Sequence, residues 1–449
     1  MSSIDLREAR RRHPASIEAR RRHPVGATRT DPIRTDPIRT DLRPAPRQRP
    51  RPDTARSPGR FRRRKKVNLE VAVNGPARPV VYWAILGCVV ALCLIGLLFV
   101  LSASAVLATH KLDSSWHWFI RQVFFVSLGA VGMFVASRID YRWWIRRGPV
   151  ALVVSVFLLF LVLLPTSLRH EVNGSKRWLG PEFLSVQPSE IAKLAMILWL
   201  AGLLSRRVRQ IRDPRQAIMP ALAVLGLLAV LIMAEPDLGT TILISLVTFI
   251  MLSVAGVRLD QLAIYALPAV ALGGVMSMWG YRRARMLAFL DPWAHATREG
   301  WQTLQSQVGI ASGGWFGVGL GNGRSKWGFL PEAHTDFIFS VIGEELGLLG
   351  CLVVIGLFLG LVVAGINAGR RATELSGMLL ALGISVWIGL QAMINISVTV
   401  GLLPNKGITL PFVSYGGSSL VMTMVAAGIL LNIARQPGTR RPRRPASRS

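Results

Sequence analysis

Long apolar stretches separated by short polar segments dominate the chain from Pro79 to Arg435. Each stretch runs for roughly 17–25 residues, enough for a helix to cross a hydrocarbon core of about 30 Å. Stretches such as 150–165 and 221–234 have no polar face, unlike the helices of water-soluble proteins. Uninterrupted apolar runs also exclude the alternating pattern of a membrane β-barrel. The pattern therefore predicts an all-α, polytopic membrane helix bundle.

We expect about ten transmembrane helices joined by loops of two different kinds. The predicted spans are 80–106, 117–136, 148–166, 188–204, 217–233, 238–255, 260–278, 335–364, 376–399 and 411–434. Arginines cluster in the loops after the second, fourth and eighth spans, on the side of the basic N-terminal tail. The positive-inside rule places these loops and both termini in the cytoplasm. The loops at 107–116, 167–187, 234–237, 279–334 and 400–410 are then extracytoplasmic.

The remaining composition divides the chain into a membrane domain and two polar tails. Residues 1–78 contain short tandem repeats and are predicted to be a disordered cytoplasmic tail, followed by the membrane domain at 79–435 and a basic cytoplasmic tail at 436–449. Of the formal net charge of +29, a large share comes from residues 1–66, which carry 21 Lys and Arg against 7 Asp and Glu. We therefore do not read the charge as nucleic-acid binding. The three cysteines fall inside predicted spans, so we expect no disulfide framework.

Two of the outside loops carry charged side chains next to a helix start. In the second, Lys176 or Arg177 could hold a phosphate, and Glu190 and Lys193 stand three residues apart on one helical face. That pair fits a polar face inside the bundle and equally an intrahelical ion pair. In the third, Asp237 either caps the following helix or lines a polar cavity.

The long outside loop, 279–334, exceeds what a connection between helices requires, which favours a folded surface or lid. It contains Asp291, His295 and Glu299, then a glycine-rich segment at 313–323 that would allow close backbone approach to a ligand. His334 and Asp336 follow at the mouth of a span, with two further glutamates beyond them. Because lipid exposure of such groups is costly, we expect them to face a cavity or one another.

The last outside loop combines a cation with a broken helix. Pro411, Gly416 and Gly417 interrupt the helix near the membrane surface and bring Ser414 and Ser418 together. Lys406, just before them, would suit an anion. A contact between helices through small residues explains the glycines and serines but not the lysine.

Five sequence blocks, in this order along the chain, resemble the signature blocks of the FtsW/RodA/SpoVE family. They read NGSKRWLG, QPSEIAK, EPDLGTT, LPEAHTDFIFSVIGEELG and KGITLPFVSYGGSS. The resemblance covers about residues 80–434, on the expected side of the predicted spans. The PEAHTDFIF string and the lysine of LLPNKGITLP are more similar to the cell-division branch of the family than to the elongation branch.

The resemblance implies a peptidoglycan glycosyltransferase that polymerises lipid II, the undecaprenyl-pyrophosphate-linked disaccharide peptide, at the outer face of the cytoplasmic (inner) membrane during septal wall synthesis. It also implies a class B penicillin-binding transpeptidase as partner, among other division proteins. Such a reaction needs cations for the pyrophosphate, a groove for the polyprenyl tail and a carboxylate to deprotonate the 4-hydroxyl of the incoming GlcNAc. A divalent cation, Mg²⁺ or Mn²⁺, commonly accompanies phosphate leaving groups. The predicted substrate-binding residues are Arg177, Glu190, Lys193, Asp237, His334, Asp336, Lys406, Ser414 and Ser418.

The general base is predicted in the long loop, where this chain departs from the family. The family's Asp-Pro-x-x-Asp string, whose second Asp is tied to catalysis, here reads Asp291-Pro-Trp-Ala-His295. Histidine also accepts protons near neutral pH. We therefore predict Asp291 as the base, His295 as the second candidate and the nearby Glu299 as the third.

Two other functions fit a bundle with internal charges and broken helices. One is a transporter that flips lipid II across the membrane. The other is a non-catalytic scaffold that recruits a transpeptidase to the septum, which the histidine at 295 favours. A polymerase lengthens glycan in detergent without a second compartment, whereas a flippase or a scaffold does not.

Overall fold

The computed structural model describes residues 78–112, 116–165, 169–172, 175–211, 213–278, 281–297 and 300–436. The two predicted tails, except for residues 78 and 436, lie outside the described residues. In the described ranges the chain forms twelve α-helices and one two-stranded antiparallel sheet. The helices are α1 Arg78–Leu112, α2 His117–Arg138, α3 Tyr141–Leu163, α4 Pro188–Arg206, α5 Ile218–Ala234, α6 Leu238–Ala255, α7 Leu259–Ser277, α8 Tyr281–Leu290, α9 Trp301–Gly313, α10 Ile338–Arg370, α11 Leu375–Thr399 and α12 Gly417–Arg435. The strands are β1 Arg169–Val172 and β2 Ser175–Leu179.

The membrane character of the bundle is confirmed by helix length and by what the helices expose. Among the described helices, eight are long and apolar enough to cross a membrane, and α5 is a shorter apolar helix of 17 residues. Large apolar side chains point outward from the bundle, as at Val153 of α3, Val230 of α5 and Leu267 of α7, which are 68%, 69% and 72% exposed. Exposing so much apolar surface to water would be costly, so this surface faces lipid.

The predicted spans agree with the observed helices, with two informative differences. The last span begins at Gly417 instead of at 411, because the chain from Pro411 to Gly416 is not helical and Phe412 has a φ of 64°. The loop 167–187 contains the β1–β2 hairpin, which the all-α prediction did not include. The long loop 279–334 holds two helices, α8 and α9, as the expectation of a folded surface implied.

The bundle is held together by helix pairs that follow each other in the chain and by pairs that are distant in sequence. Helix α2 packs along α12, α3 along α4, and α10 against α1, α9 and α11. Phe99, Trp387 and Phe412 are among the largest side chains that these contacts bury completely. Where α2 and α12 cross, Gly428 lies against the backbone of Met133, an approach that only a small residue allows.

Helix α10 is broken at Gly347, and the glycine-rich segment 313–323 forms hydrogen bonds with the backbone groups that the break leaves without helical partners. Gly347 has φ 69° and ψ −164°, outside the helical region. The freed carbonyl of Glu344 accepts from the N–H of Val318 (2.9 Å), and the N–H of Leu348 donates to the carbonyl of Gly314 (2.9 Å). The close backbone approach predicted for these glycines therefore takes place, and the backbone that they approach is that of α10.

The two glutamates before the break are held by the long loop and by α1. Glu345, completely buried, accepts from the hydroxyl of Ser102 (2.7 Å) and pairs with Lys326 (3.2 Å). Glu344 accepts from the N–H of Ser325 (3.1 Å). These carboxylates thus find their partners in the loop that covers them, which satisfies the requirement that buried charges be paired.

We predict that Gly347→Ala destabilises the protein. A Cβ at this position would lie 2.4 Å from the backbone nitrogen of Gly317, and the positive φ alone costs an alanine about 1–3 kcal/mol. Gly356→Ala is the matched control in the same helix, because a Cβ there would meet nothing within 4 Å. Thermal unfolding in detergent should show a lower Tm for the first variant and an unchanged or higher Tm for the second. Equal Tm values for both variants would contradict this role of Gly347.

Candidate active site

Most of the predicted site residues lie at one end of the bundle, where α1, α3, α5, α7 and α11 finish and α2, α4, α6, α10 and α12 begin. We call this the loop end, because it carries the hairpin, the α5–α6 turn, the long loop and residues 400–416. The opposite, basic end carries the arginine-rich loops. Burying an ionisable group in such a bundle is costly unless the group is paired or hydrated. The hydrogen-bond and ion-pair partners of each charged group at the loop end therefore show which charges are already engaged within the protein.

The hairpin places Arg177 over the turn between α5 and α6. Arg177 lies on β2, and its Nε donates to the carbonyl of Glu235 (2.8 Å) while its Nη2 donates to the carbonyl of Pro236 (2.8 Å). These carbonyls end α5 and would otherwise lack helical partners. The guanidinium is thereby fixed in orientation on the surface of the bundle.

The α5–α6 turn holds two buried carboxylates in different environments. Asp237 is 3% exposed and caps α6, accepting from the N–H (3.0 Å) and the hydroxyl (2.8 Å) of Thr240. Glu235 is 1% exposed, and neither of its carboxylate oxygens has a hydrogen-bond partner among the described residues. Burial and the neighbouring Asp237, opposed by Arg177, raise the pKa of Glu235 to about 8. The capping interpretation of Asp237 agrees with this geometry.

Lys193 and Glu190 form a buried ion pair that also reaches across to α11. Their side chains are 3% and 6% exposed, and the Nζ of Lys193 lies 2.8 Å from Glu190 Oε2. The same Nζ donates to the side-chain oxygen of Gln391 (2.9 Å) and lies 5.2 Å from the ring centroid of Trp387. Both interpretations of the sequence thus describe the same pair, which is intrahelical and part of a polar group inside the bundle.

A cavity opens beside this ion pair. It is small and is lined by Lys193, by Trp387 and by five apolar side chains of α4 and α6.

Two amide side chains, spaced four residues apart on α11, bind the backbone of the segment 404–410 and of Asp336. Gln391 donates to the carbonyl of Thr409 (3.1 Å), and Asn395 donates to the carbonyls of Asp336 (2.8 Å) and Ile408 (2.7 Å). Neither Gln391 nor Asn395 was predicted from the sequence. The feature that could have indicated them is the four-residue spacing of polar side chains on one face of an apolar span.

Asp336 connects the long loop to the hairpin and the α5–α6 turn. Burial and the Glu332 carboxylate, opposed by Arg285 and Arg177 and reinforced by Asp237, raise the pKa of Asp336 to about 7. Residues from the hairpin, α6, α8 and the long loop thus lie within electrostatic reach of one another. The structure therefore brings Arg177, Asp237 and Asp336 within electrostatic reach of one another, and their predicted contact with a substrate stays a prediction.

Lys406 lies beside this cluster on the extended segment 404–410. A Cβ on Gly239, in the first turn of α6, would be 3.1 Å from the carbonyl oxygen of Lys406, and a Cβ on Gly407 would be 3.6 Å from Oδ2 of Asp336. The side chain of Lys406 is partly exposed. A hydrogen bond from Nδ2 of Asn405 to Oε1 of Gln302 (2.8 Å) holds the segment against α9.

His334 is part of an aromatic group at the start of α2. Its ring centroid lies 5.2 Å from that of Trp118 and 5.8 Å from that of Tyr415. The carbonyl of His334 accepts from the N–H of Tyr415 (3.0 Å). With 7% of the residue exposed, His334 is more a structural link between the long loop and the broken helix than a surface ligand.

The predicted serines support the interrupted start of α12. Ser414 accepts from the N–H of Leu410 (2.8 Å), and Ser418 accepts from the N–H of Gln187 (3.1 Å). The second bond joins α12 to the residue that precedes α4. Both hydroxyls thus satisfy backbone donors near the site, and their predicted contact with substrate stays a prediction.

The predicted base candidates lie on a separate turn after α8. Asp291 is exposed and accepts from the N–H of Ala294 (3.1 Å), and Nδ1 of His295 lies 3.1 Å from the carbonyl oxygen of Asp291. Glu299 lies outside the described residues. This turn adjoins α9, which the Gln302–Asn405 bond ties to the segment of Lys406, but no hydrogen bond among the described residues joins Asp291 or His295 to the Arg177 cluster.

No three His, Cys, Asp or Glu side chains in the described part of the chain are grouped as a metal site. The predicted Mg²⁺ or Mn²⁺ stays a prediction, because at a phosphate site such an ion is usually held by one or two carboxylates together with the substrate's own phosphates.

Comparison with known proteins places this arrangement in a family. The FtsW/RodA/SpoVE family, described as "Cell cycle protein", matches residues 82–438. The probable peptidoglycan glycosyltransferase FtsW of Coxiella burnetii is 42% identical over 78% of this chain and 95% of its own length. Stage V sporulation protein E of Bacillus subtilis is 41% identical over 76% of this chain and 93% of its own length.

Two solved structures share the fold. A chain from a study entitled "Structural coordination of polymerization and crosslinking by a peptidoglycan synthase complex" is 30% identical, with a TM-score of 0.65 over 79% of this chain and 97% of that one. The rod shape determining protein RodA of Thermus thermophilus is 27% identical, with a TM-score of 0.59 over 79% of this chain and 96% of that one. The chain belongs to the FtsW/RodA/SpoVE family of cell cycle proteins.

Proposed function

We propose that this protein is a peptidoglycan glycosyltransferase that polymerises lipid II at the outer face of the cytoplasmic membrane during cell division. The observation that carries the proposal is the cluster of Arg177, Asp237 and Asp336, with Lys406 beside it, at the end of a membrane-helix bundle. A lipid-linked sugar pyrophosphate presents its charged group at this level of a membrane. The names of the relatives favour a glycosyltransferase over the flippase and scaffold alternatives.

The reaction forms one glycosidic bond and breaks one bond to phosphate. The 4-hydroxyl of the acceptor GlcNAc attacks the anomeric carbon that carries the pyrophosphate, and undecaprenyl pyrophosphate leaves with the bonding electrons. The hydroxyl proton passes to a base. Cations held in place before the reaction stabilise the leaving group without reorganising during it.

Arg177 is the leading candidate for the pyrophosphate. Its Nε and Nη2 bond to backbone carbonyls, and we assign Nη1 to a phosphate oxygen. Lys406, on the adjacent segment, is the second cation. Lys193 is held by Glu190 and Gln391 deeper in the bundle, where it adjoins the apolar cavity and suits the junction between the pyrophosphate and the polyprenyl tail.

The base is proposed on the turn between α8 and α9, as predicted from the sequence, with Asp291 ahead of His295 and Glu299. Asp291 is exposed and follows α8, whose Arg285 acts on Asp336. An exposed carboxylate on this turn is open to a glycan acceptor that enters from outside the membrane.

The proposed setting is the division septum, with both termini in the cytoplasm and a class B penicillin-binding transpeptidase as partner. The arginines at the basic end support this orientation through the positive-inside rule. One structural relative comes from a study of a synthase complex that coordinates polymerisation with crosslinking, which supports a partner of this kind.

We predict that Arg177→Gln lowers lipid II polymerisation by roughly 10–100-fold, mainly through a higher KM, because a cation on the pyrophosphate is lost. Glycan strands made from purified lipid II in detergent, separated by gel electrophoresis, measure the effect. The control is Arg209→Gln, which removes an exposed arginine at the basic end and should leave the rate unchanged. Equal rates for both variants would remove Arg177 from the site.

We also predict that one of Asp291→Ala, His295→Ala and Glu299→Ala lowers kcat by about 10²–10⁴-fold, the usual contribution of a general base. The same gel assay, at saturating lipid II, identifies which one. Full activity in all three variants would exclude the α8–α9 turn as the source of the base.

A further inference from the structure

Glu235 has a buried carboxyl group that the proposed reaction does not use. It is 1% exposed, and neither oxygen is hydrogen-bonded to any described residue. Buried polar groups are nearly always paired, and an unpaired ionised carboxylate is among the most costly groups to bury. Such a group persists when its neutral form, which is cheaper to bury, serves a purpose.

The charged neighbours of Glu235 explain why the neutral form is favoured. On its own turn lies Asp237, whose carboxylate is engaged in capping α6 and repels a second negative charge. From the hairpin comes Arg177, which attracts one. Asp336, which also acts with Asp237 and Arg177, extends the cluster. Burial and Asp237 outweigh Arg177, so the pKa of Glu235 rises to about 8 and the group is mostly protonated near neutral pH.

The backbone links this carboxyl group directly to the guanidinium. The Nε of Arg177 donates to the carbonyl of Glu235 itself, and Nη2 donates to the next carbonyl. Both bonds go to neutral oxygens. While the Glu235 side chain is protonated, the positive charge of Arg177 therefore has no counter-charge from this residue and remains available to an anion. Ionisation would place a negative charge on the residue that holds the guanidinium.

We propose that Glu235 is a positioning residue whose protonation state sets the affinity of Arg177 for the pyrophosphate of the lipid-linked substrate: the neutral acid permits tight binding, and the carboxylate weakens it. The proposal rests on the proposed function, because it takes Arg177 as the phosphate ligand. It assigns Glu235 no contact with the substrate and no proton transfer in the reaction.

Binding of a short-chain polyprenyl pyrophosphate to the purified full-length protein in detergent tests the proposal, with the matching polyprenyl alcohol as the reference ligand. If only the neutral form binds tightly, wild-type affinity should fall by about 10-fold between pH 7 and pH 9, because the protonated fraction of a group with a pKa of about 8 falls by that factor. Glu235→Gln, which mimics the neutral acid, should bind like the wild type near pH 7 and lose less affinity than the wild type by pH 9. The loss that remains in this variant belongs to Asp336, whose pKa of about 7 makes it ionise over the same range. Glu374→Gln, an exposed glutamate at the basic end that pairs with Arg142, should follow the wild type throughout.

Kinetics and spectroscopy supply readouts that a purely structural role would not change. In the polymerisation assay, Glu235→Gln should flatten the pH dependence of KM without altering that of kcat. In the wild type, the infrared C=O band of protonated, buried carboxylic acids should fall strongly between pH 7 and pH 9. Because Asp336, with a pKa of about 7, contributes to this band in both proteins, the wild-type minus Glu235→Gln difference spectrum should show the band that belongs to Glu235.

These measurements distinguish a failure of the role of Glu235 from a failure of the proposed function. The inference is overturned if Glu235→Gln loses affinity with pH in parallel with the wild type, if it binds poorly near pH 7, or if the infrared band of Glu235 is absent from the difference spectrum. Wild-type protein that binds the pyrophosphate no better than the alcohol would overturn the role of Arg177 in the proposed function, and this inference with it. A third outcome rejects the inference alone and leaves the proposed function standing. In it the protein polymerises lipid II and the infrared band of Glu235 titrates as expected, but the affinities of the wild type and of Glu235→Gln fall in parallel with pH.

Discussion

At three places at the loop end, backbone groups without helical partners are bonded by another segment of the described chain, because such groups at membrane depth have no water to pair with. The break in α10 at Gly347 is bonded by the glycine-rich segment. The extended chain at 404–410 is bonded by Gln391 and Asn395 of α11, and the carbonyls at the end of α5 are bonded by Arg177. The same bonds that satisfy the backbone therefore position the polar side chains of the site.

This constraint explains why distant parts of the chain meet at one place. A hairpin residue is held on the α5–α6 turn, and the loop residue Asp336 is held through its carbonyl by α11. The charges of the two segments then interact, with Arg177 opposing the raised pKa of Asp336. Hydrogen bonds from Arg177, Gln391 and Asn395 to backbone carbonyls thus hold in place the segments where the leaving group is proposed to bind. The α8–α9 turn, with exposed Asp291, lies outside this network.

The features that the sequence predicted are those that depend on local pattern. Apolar runs of membrane length located the spans, and Asp237 before a helix start predicted a cap. The partner of each charge was harder to predict, since pairs such as Lys326 with Glu345, or Lys193 with Gln391, join elements that only the tertiary fold brings together. The hairpin was missed because its strands have only four and five residues, and these are largely polar. Gln391 and Asn395 were missed because each occurs singly within an apolar helix, without a surrounding motif.

We propose that the hydrogen bonds that satisfy the backbone at the loop end also build a single site for a lipid-linked pyrophosphate. A cryo-electron microscopy map of the full-length protein with bound lipid II in a lipid nanodisc tests it most directly. We predict pyrophosphate density within hydrogen-bonding distance of Arg177, with the polyprenyl chain descending between helices toward Lys193. Pyrophosphate density at the basic end, or on a face of the bundle remote from the α5–α6 turn, would contradict the account.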